Sequence, residues 1–211
     1  MNRTTPTRFS REHESDLGAI VLSGGRSSRM GRDKAAIVVR SMPLLTRICH
    51  VALAVTPTVF VVTSRAGVYE ALVPLPCQIV QEPEAFQGPL AGLLWGWREM
   101  ATEWVLVLAC DLPKLTAPVV QQWTAQLVDT PTDAIAFLPQ STKGWEPLCG
   151  FYRRRSVPLL QAYWRDGGRS LQQWLRGRKD IRAIPDVSST LLFNCNTPKD
   201  LEQMLADTES P

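Results

Sequence analysis

Histidine is scarce in this chain: His13 and His50 are its two copies in 211 residues, and neither lies at ligand spacing from a cysteine. That argues against a zinc site of the Cys/His kind. The five cysteines (Cys49, Cys77, Cys110, Cys149, Cys195) are odd in number, widely spaced and without a Cys-x-x-Cys pair. Four have apolar residues directly adjacent, which predicts reduced, buried thiols rather than a secreted disulfide framework. Long apolar runs are missing too. Trp104 to Cys110 is the longest clear one, well short of the ~20 residues that a membrane span requires. No apolar signal core opens the chain. These absences predict a soluble cytoplasmic protein with no membrane partner.

Net charge is also small, +3 with both histidines neutral. That excludes a polycation of the histone or ribosomal kind, and no nucleic-acid partner is expected. The total hides an asymmetry. Between Arg153 and Arg182 nine basic side chains stand against Asp166 and Asp180, so this segment carries +7 and the rest of the chain −4. An anion-facing surface in the C-terminal third is the first functional expectation.

Hydrophobic residues make up 45% and charged residues 20%, which is globular composition, and the length suits one domain. Residues 1–16 hold two large apolar side chains, Met1 and Phe9, and read as a disordered tail. A single domain is expected over 17–207. Short β-branched runs then alternate with helical patterns. The expected strands are Ala19–Leu22, Thr58–Thr63, Gln78–Gln81, Trp104–Cys110, Ala134–Leu138, Leu148–Tyr152, and either Ile181–Ile184 or Leu191–Asn194. The expected helices are Pro43–Ala54, Ala66–Leu72, Pro89–Ala101, Ala117–Val128, Ser156–Arg165, Ser170–Arg176 and Pro198–Ala206. Trp104 to Cys110 is apolar on both faces, so it belongs in a sheet covered on both sides. The alternation predicts an α/β fold, a three-layer α/β/α sandwich with a mostly parallel sheet. Ligands of such sheets bind beyond the carboxyl ends of the strands.

The first strand runs into Leu22-Ser23-Gly24-Gly25-Arg26-Ser27-Ser28-Arg29-Met30-Gly31-Arg32-Asp33-Lys34. Its glycines let backbone approach a ligand closely, and successive N–H groups in such a turn make an anion-binding concavity. Arg29 and Lys34 add full positive charge. Neither a Walker A loop nor the Rossmann Gly-x-Gly-x-x-Gly spacing is present. On composition alone, a glycine-rich surface turn with solvated arginines competes with a phosphate-binding loop.

The combined string resembles the signature of nucleotidyltransferases that activate a phosphorylated small molecule with a nucleoside triphosphate. Within them it is most similar to the molybdenum cofactor guanylyltransferase family, whose loop reads Leu-Ala-Gly-Gly-x-x-x-Arg-Met-Gly-x-x-Lys. The likeness extends to Gly88-Pro89-Leu90-Ala91-Gly92, to Cys110-Asp111-Leu112-Pro113, to Glu146 through Tyr152, to Gly167-Gly168-Arg169-Ser170, and to Asn194-Cys195-Asn196-Thr197-Pro198.

The resemblance implies a Rossmann-like sheet of the nucleotide-diphospho-sugar transferase type. It implies transfer of GMP from GTP to the phosphate of Mo-loaded molybdopterin, with release of pyrophosphate. Arg29, Lys34 and Asp111 would be catalytic. Leu22, Ser23, Gly24, Gly25, Lys34, Glu82, Gly92 and Asp111 would bind the nucleotide, with Asp111 holding Mg²⁺. Arg169, Asn194 and Asn196 would bind the acceptor. Transient contacts with molybdenum-insertion proteins and acceptor molybdoenzymes are implied as well. Bland roles compete at several of these positions: Asp111 as a turn aspartate, and Thr197, Pro198 and Asp200 as an ordinary helix start. Two residues depart from the family pattern, Glu82 standing for an aspartate and Thr63 for an asparagine, and they imply an altered nucleotide contact. The competing functions are a related enzyme using CTP or a sugar phosphate, and a non-catalytic nucleotide-binding protein.

Overall fold

Leu17–Leu22 forms β1, the heart of a seven-stranded sheet, in a computed structural model that describes residues 16–24, 33–83, 87–197, 199–202 and 204. Side chains of β1 alternate between two cores, with Ala19 and Val21 in one and Ile20 in the other, as the two-residue period of a strand dictates. β6 (Trp104–Ala109) lies parallel to β1, from Leu17↔Trp104 to Leu22↔Ala109. It repeats the alternation, sending Leu106 and Leu108 to one core and Val105 and Val107 to the other. Burial on both faces is why these strands are continuous apolar runs.

β4 (Val59–Thr63) pairs with the other edge of β1, and β5 (Gln78–Gln81) pairs with β4, all parallel. Beyond β6 the sheet becomes mixed. β10 (Cys149–Arg153) is antiparallel to β6 and to β7 (Ala136–Leu138), and β11 (Ile181–Ala183) is parallel to β7. The order is β11-β7-β10-β6-β1-β4-β5. The chain thus builds outward from β1 to β5 and then crosses back to β6 on the far side of β1. Parallel sheets bind ligands at such a reversal.

Helices cover both faces. α1 (Leu44–Leu53), α2 (Ala66–Tyr69) and α4 (Ala117–Ala125) bury Ile48, Tyr69 and Trp123 in the core that receives Ala19. α3 (Pro89–Gly96), α5 (Ser156–Arg165) and α6 (Leu171–Leu175) bury Leu93, Leu160 and Trp174 in the core that receives Ile20. Three of the expected helices end in a tighter turn, at 70–72, 97–99 and 126–129. Residues 199–202 are helical, inside the expected last helix, whose Pro198 lies outside the described residues. The expected tail, apart from Asp16, lies outside them as well. Of the two alternatives for the last strand, Ile181–Ala183 is the one formed, and 191–192 is a turn. All five cysteines are free thiols, and Cys110 alone of them is less than fully buried. Among the described residues no helix is long and apolar enough to cross a membrane.

Two small hairpins were not expected. β2 (Val38–Val39) and β3 (Met42–Pro43) turn through Arg40 and Ser41, both at positive φ (48° and 65°). That geometry normally calls for Asn or Gly, so the sequence carried no turn signal. β8 (Gln140–Ser141) and β9 (Gly144–Trp145) form the second.

Candidate active site

A cavity of about 880 Å³ opens at the carboxyl ends of β1, β4 and β6. β1 delivers Leu22, Ser23 and Gly24 to it, and β6 delivers Cys110 and Asp111. Ser23 is buried and donates its N–H to Val62 O at 3.0 Å, which ties the loop entrance to β4. The N-terminus of α3 lines the same cavity through Gly88, Pro89 and Gly92. Gly88 sits at φ +93°, a conformation that favours glycine, and Pro89 then occupies the first helical position. Such an N-terminus favours an anion.

Three segments distant in sequence meet at Lys34. Its Nζ lies 3.4 Å from Asp111 Oδ2 and donates to Asn196 Oδ1 at 2.5 Å. The C-terminal segment is held beside Asp111, because Cys195 N donates to Asp111 O at 3.0 Å. Burial raises the Asp111 carboxyl above the usual aspartate range, and the Lys34 charge opposes that rise. A carboxylate kept this dry calls for a cation.

Lys34 is anchored from the other side by its neighbour. Asp33 Oδ1 accepts from Ala35 N at 3.1 Å and caps the short turn Lys34–Ala36. Tyr69 Oη donates to the Asp33 carboxylate, 2.8 Å from Oδ2, and Arg65 forms an ion pair with it. Burial, seconded by the bond to Asp33, pushes the Tyr69 hydroxyl up to about 12. Sequence alone assigns no site role to this Asp33–Tyr69–Arg65 cluster, since Asp33 lies 32 and 36 positions from Arg65 and Tyr69 with no motif to link them.

Glu82 also faces the cavity, and the geometry explains an expected glycine. A Cβ on Gly92 would come within 2.9 Å of Glu82 Oε1 and 3.1 Å of Leu22 Cδ2. A Cβ on Gly24 would lie 3.7 Å from Glu82 Oε2. Gly92 thus makes room for this carboxylate first, whatever ligand follows. Burial raises the Glu82 carboxyl above the ordinary glutamate range.

Leu22, Ser23, Gly24, Lys34, Glu82, Gly92, Asp111, Asn194 and Asn196 therefore all line one cavity. Gly25 and Arg29 lie outside the described residues. Arg169 does not line it: its guanidinium stacks 3.8 Å from the Trp164 ring centroid and donates to Trp164 O and Gly168 O. Thr63 does not line it either. Its side chain accepts from Arg65 N at 3.1 Å, while its carbonyl accepts from Glu82 N at 2.9 Å, so it positions Glu82 through the backbone.

The expected basic surface is largely committed elsewhere. Arg153 is buried, donating to the carbonyls of Pro131, Thr132 and Ala134 and pairing with Glu103 at 3.2 Å. Arg154 donates to Met100 O at 2.8 Å, Arg178 pairs with Asp180 at 2.7 Å, and Arg182 pairs with Asp133 at 3.0 Å. No residue between Arg153 and Arg182 is among the cavity-lining residues described.

Residues 19–183 match the MobA-like NTP transferase domain. The chain belongs to that family. It is 50% identical over 186 residues to a probable molybdenum cofactor guanylyltransferase of a Nostoc strain, covering 88% of this chain and 89% of that one. A protein of the same name from Synechococcus elongatus is 36% identical over 191 residues, covering 90% and 98%. The fold matches the crystal structure of molybdopterin-guanine dinucleotide biosynthesis protein A from Archaeoglobus fulgidus. The TM-score is 0.74 at 20% identity, covering 92% of this chain and all of that one. As an NTP transferase of this family, the chain is a nucleotidyltransferase whose cavity occupies the carboxyl edge of its sheet.

Proposed function

We propose that this enzyme is a molybdenum cofactor guanylyltransferase, joining GMP from GTP to the terminal phosphate of Mo-loaded molybdopterin. The observation that carries the reading is the convergence of Lys34, Asp111 and Asn196 at the mouth of β1 and β6, in a chain so similar to proteins of that name. An acceptor phosphate oxygen attacks the α-phosphorus of GTP, a new P–O bond forms, the bond to the β-phosphate bridging oxygen breaks, and pyrophosphate leaves. The acceptor phosphate is ionised near neutrality, so no general base is required. Catalysis is then positioning and charge neutralisation.

The described cavity wall holds four carboxylates (Asp33, Glu82, Asp111, Glu146) and one ammonium, Lys34. Asp33 is neutralised by Arg65. A triphosphate entering such a wall needs a divalent cation. Asp111 fits that need, a hard oxygen ligand on the rigid end of a strand, since Mg²⁺ takes one or two carboxylates and completes its shell with phosphate oxygens and water. Held there, Mg²⁺ would neutralise phosphate charge and align the reacting groups. Lys34 would stabilise the triphosphate and the departing pyrophosphate. Ser23 and Gly24 would supply close backbone approach, and Glu82 would accept from the N–H donors of guanine. Asn194 and Asn196 would face the acceptor, with Asn196 steadying Lys34. Residues 17–207 form one nucleotidyltransferase domain in this reading.

The test is product analysis after mixing the protein with Mg-GTP and molybdenum-loaded molybdopterin, with CTP as competitor. The guanine dinucleotide and pyrophosphate are expected; equal turnover with CTP would overturn the guanylyl assignment. Asp111→Asn should lose Mg²⁺-dependent activity by more than about tenfold while keeping the fold. Undiminished turnover would remove Asp111 from the metal site.

A further inference from the structure

The cavity holds a fourth carboxylate that the assignments above leave without a task. Glu146 lines the wall on the opposite side of Asp111 from Glu82. Its place follows from topology. Because β10 runs antiparallel to β6, with Cys149 opposite Leu108, the start of β10 lies at the carboxyl edge of β6, where Asp111 emerges. Along that edge the order is Glu82 after β5, then the ends of β4 and β1, then Asp111, then Glu146. At about 4.8 Å per strand, four steps from β5 to β10 separate the two glutamates by roughly 19 Å of sheet edge.

The turn that carries Glu146 is unusually well secured. Glu146 N donates to Pro139 O at 3.0 Å, and Cys149 N donates to Glu146 O at 3.3 Å. The hydroxyl of buried Tyr152 donates to Pro147 O at 2.8 Å, and Ala109 N donates to Leu148 O at 2.9 Å. A backbone fixed at four points presents a side chain that has no donor or cation of its own among the described residues. No group of three His, Cys, Asp or Glu converges there to bind a metal, again among the described residues. An unpaired carboxylate on a rigid platform inside a substrate cavity is suited to hydrogen-bond donors of a ligand.

We infer that Glu146 is the specificity residue for the acceptor's ring, accepting hydrogen bonds from the ring N–H and exocyclic amino group of its aminopyrimidinone. The inference rests on the guanylyltransferase reading and deepens it. Guanine and a pterin present the same pair of adjacent donors, and the product carries one such ring at each end of a pyrophosphate. The cavity mirrors this, with Glu82 at one end, Lys34 and Asp111 in the middle, and Glu146 at the other. Its volume lies at the upper end of the range for small-molecule sites, as a cavity that takes two substrates together requires.

The experiment is steady-state kinetics of wild type, Glu146→Gln and Glu146→Asp with Mg-GTP and molybdopterin as the varied substrates. In Glu146→Gln the acceptor KM should rise at least tenfold, while the KM for GTP and the unfolding midpoint stay unchanged. Glu146→Asp should recover part of the loss. An unchanged acceptor KM overturns the inference. So does a parallel rise in the KM for GTP, or a fall in kcat alone, which would mark a nucleotide or metal role. A second measurement needs no turnover: binding of a phosphorylated pterin to the apo-enzyme, read by pterin fluorescence. Binding by wild type that weakens in Glu146→Gln supports the inference. Equal binding by both, or none by wild type, overturns it. Failure of wild type to form dinucleotide would overturn the functional reading instead, and the binding measurement keeps the two failures apart.

Discussion

At the scale of single residues, Glu82 shows how one carboxylate constrains its surroundings. Its carboxylate reaches up to Gly92, where an added Cβ would come within 2.9 Å of Oε1 and force the glutamate to shift. Burial raises its carboxyl above the ordinary range with no opposing cation among the described residues, although Arg98 and Arg165 line the neighbouring groove that Glu82 also borders. The native state then binds this proton more tightly than the unfolded chain does. The native state is therefore penalised as pH rises from the unfolded value through the folded one, and the penalty is complete above the latter. Glu82→Gln should thus raise the unfolding midpoint of the nucleotide-free enzyme at pH 8, with the gain closing toward pH 4. The same variant should bind GTP more weakly. Thermal unfolding across that pH range decides it: a gain independent of pH, or no gain, would mean that the carboxylate is not held in a dry site.

Residue-level legibility followed the motifs. Lys34, Asp111 and Asn196 could be named from short strings, and the structure brings all three together. In sequence Glu146 is merely the start of a strand-like run, because its carboxylate acquires meaning from the antiparallel placement of β10, which local sequence does not encode. Arg169 shows the converse. Its position matches a basic loop, yet the guanidinium stacks on a tryptophan five residues earlier and spends Nη1 on two local carbonyls, away from the cavity wall.

At the scale of elements, the start of the last helix does more than begin a helix. Asp200 Oδ2 accepts from Asn196 N at 2.9 Å and Thr197 N at 2.7 Å, and Asp200 N donates to Thr197 Oγ1 at 3.2 Å. This is a reciprocal capping box of the expected kind. The N–H of Asn196 holds the Asp200 carboxyl below the usual aspartate range. The structural role and the functional one are therefore not rivals: the cap fixes the backbone of Asn196, and Asn196 fixes Lys34. Asp200→Ala should cost about 1 kcal/mol of stability and also lower kcat several-fold, whereas Asp200→Glu should retain most of both. Calorimetry with turnover rates checks this, and a stability loss with no change in kcat would separate the cap from the site. Core elements were legible because burial on both faces writes itself as apolar runs. The hairpins were not, since Arg40 and Ser41 adopt left-handed conformations that their side chains do not advertise.

At the scale of the whole molecule, the charge asymmetry that first suggested an anion-binding surface turns out to be a sum over unrelated tasks. Arg153 stitches a strand end to three carbonyls under the Trp104 ring. Arg178 and Arg182 each meet an aspartate. Net charge over a segment counts side chains without regard to direction, and these point to backbone and carboxylates rather than to one ligand. The distinction can be measured. Arg153→Ala leaves three carbonyls without their buried donor, so it should destabilise the protein by about 2–3 kcal/mol while the folded fraction keeps its acceptor KM. Arg176→Gln and Lys179→Gln, at exposed positions just after α6, should change stability by less than about 0.5 kcal/mol and leave the acceptor KM within twofold. If neutralising Arg176 and Lys179 instead raised that KM tenfold, the anionic acceptor would be recruited by this surface after all. The uncommitted charge of the segment would then be part of substrate capture rather than of solvation.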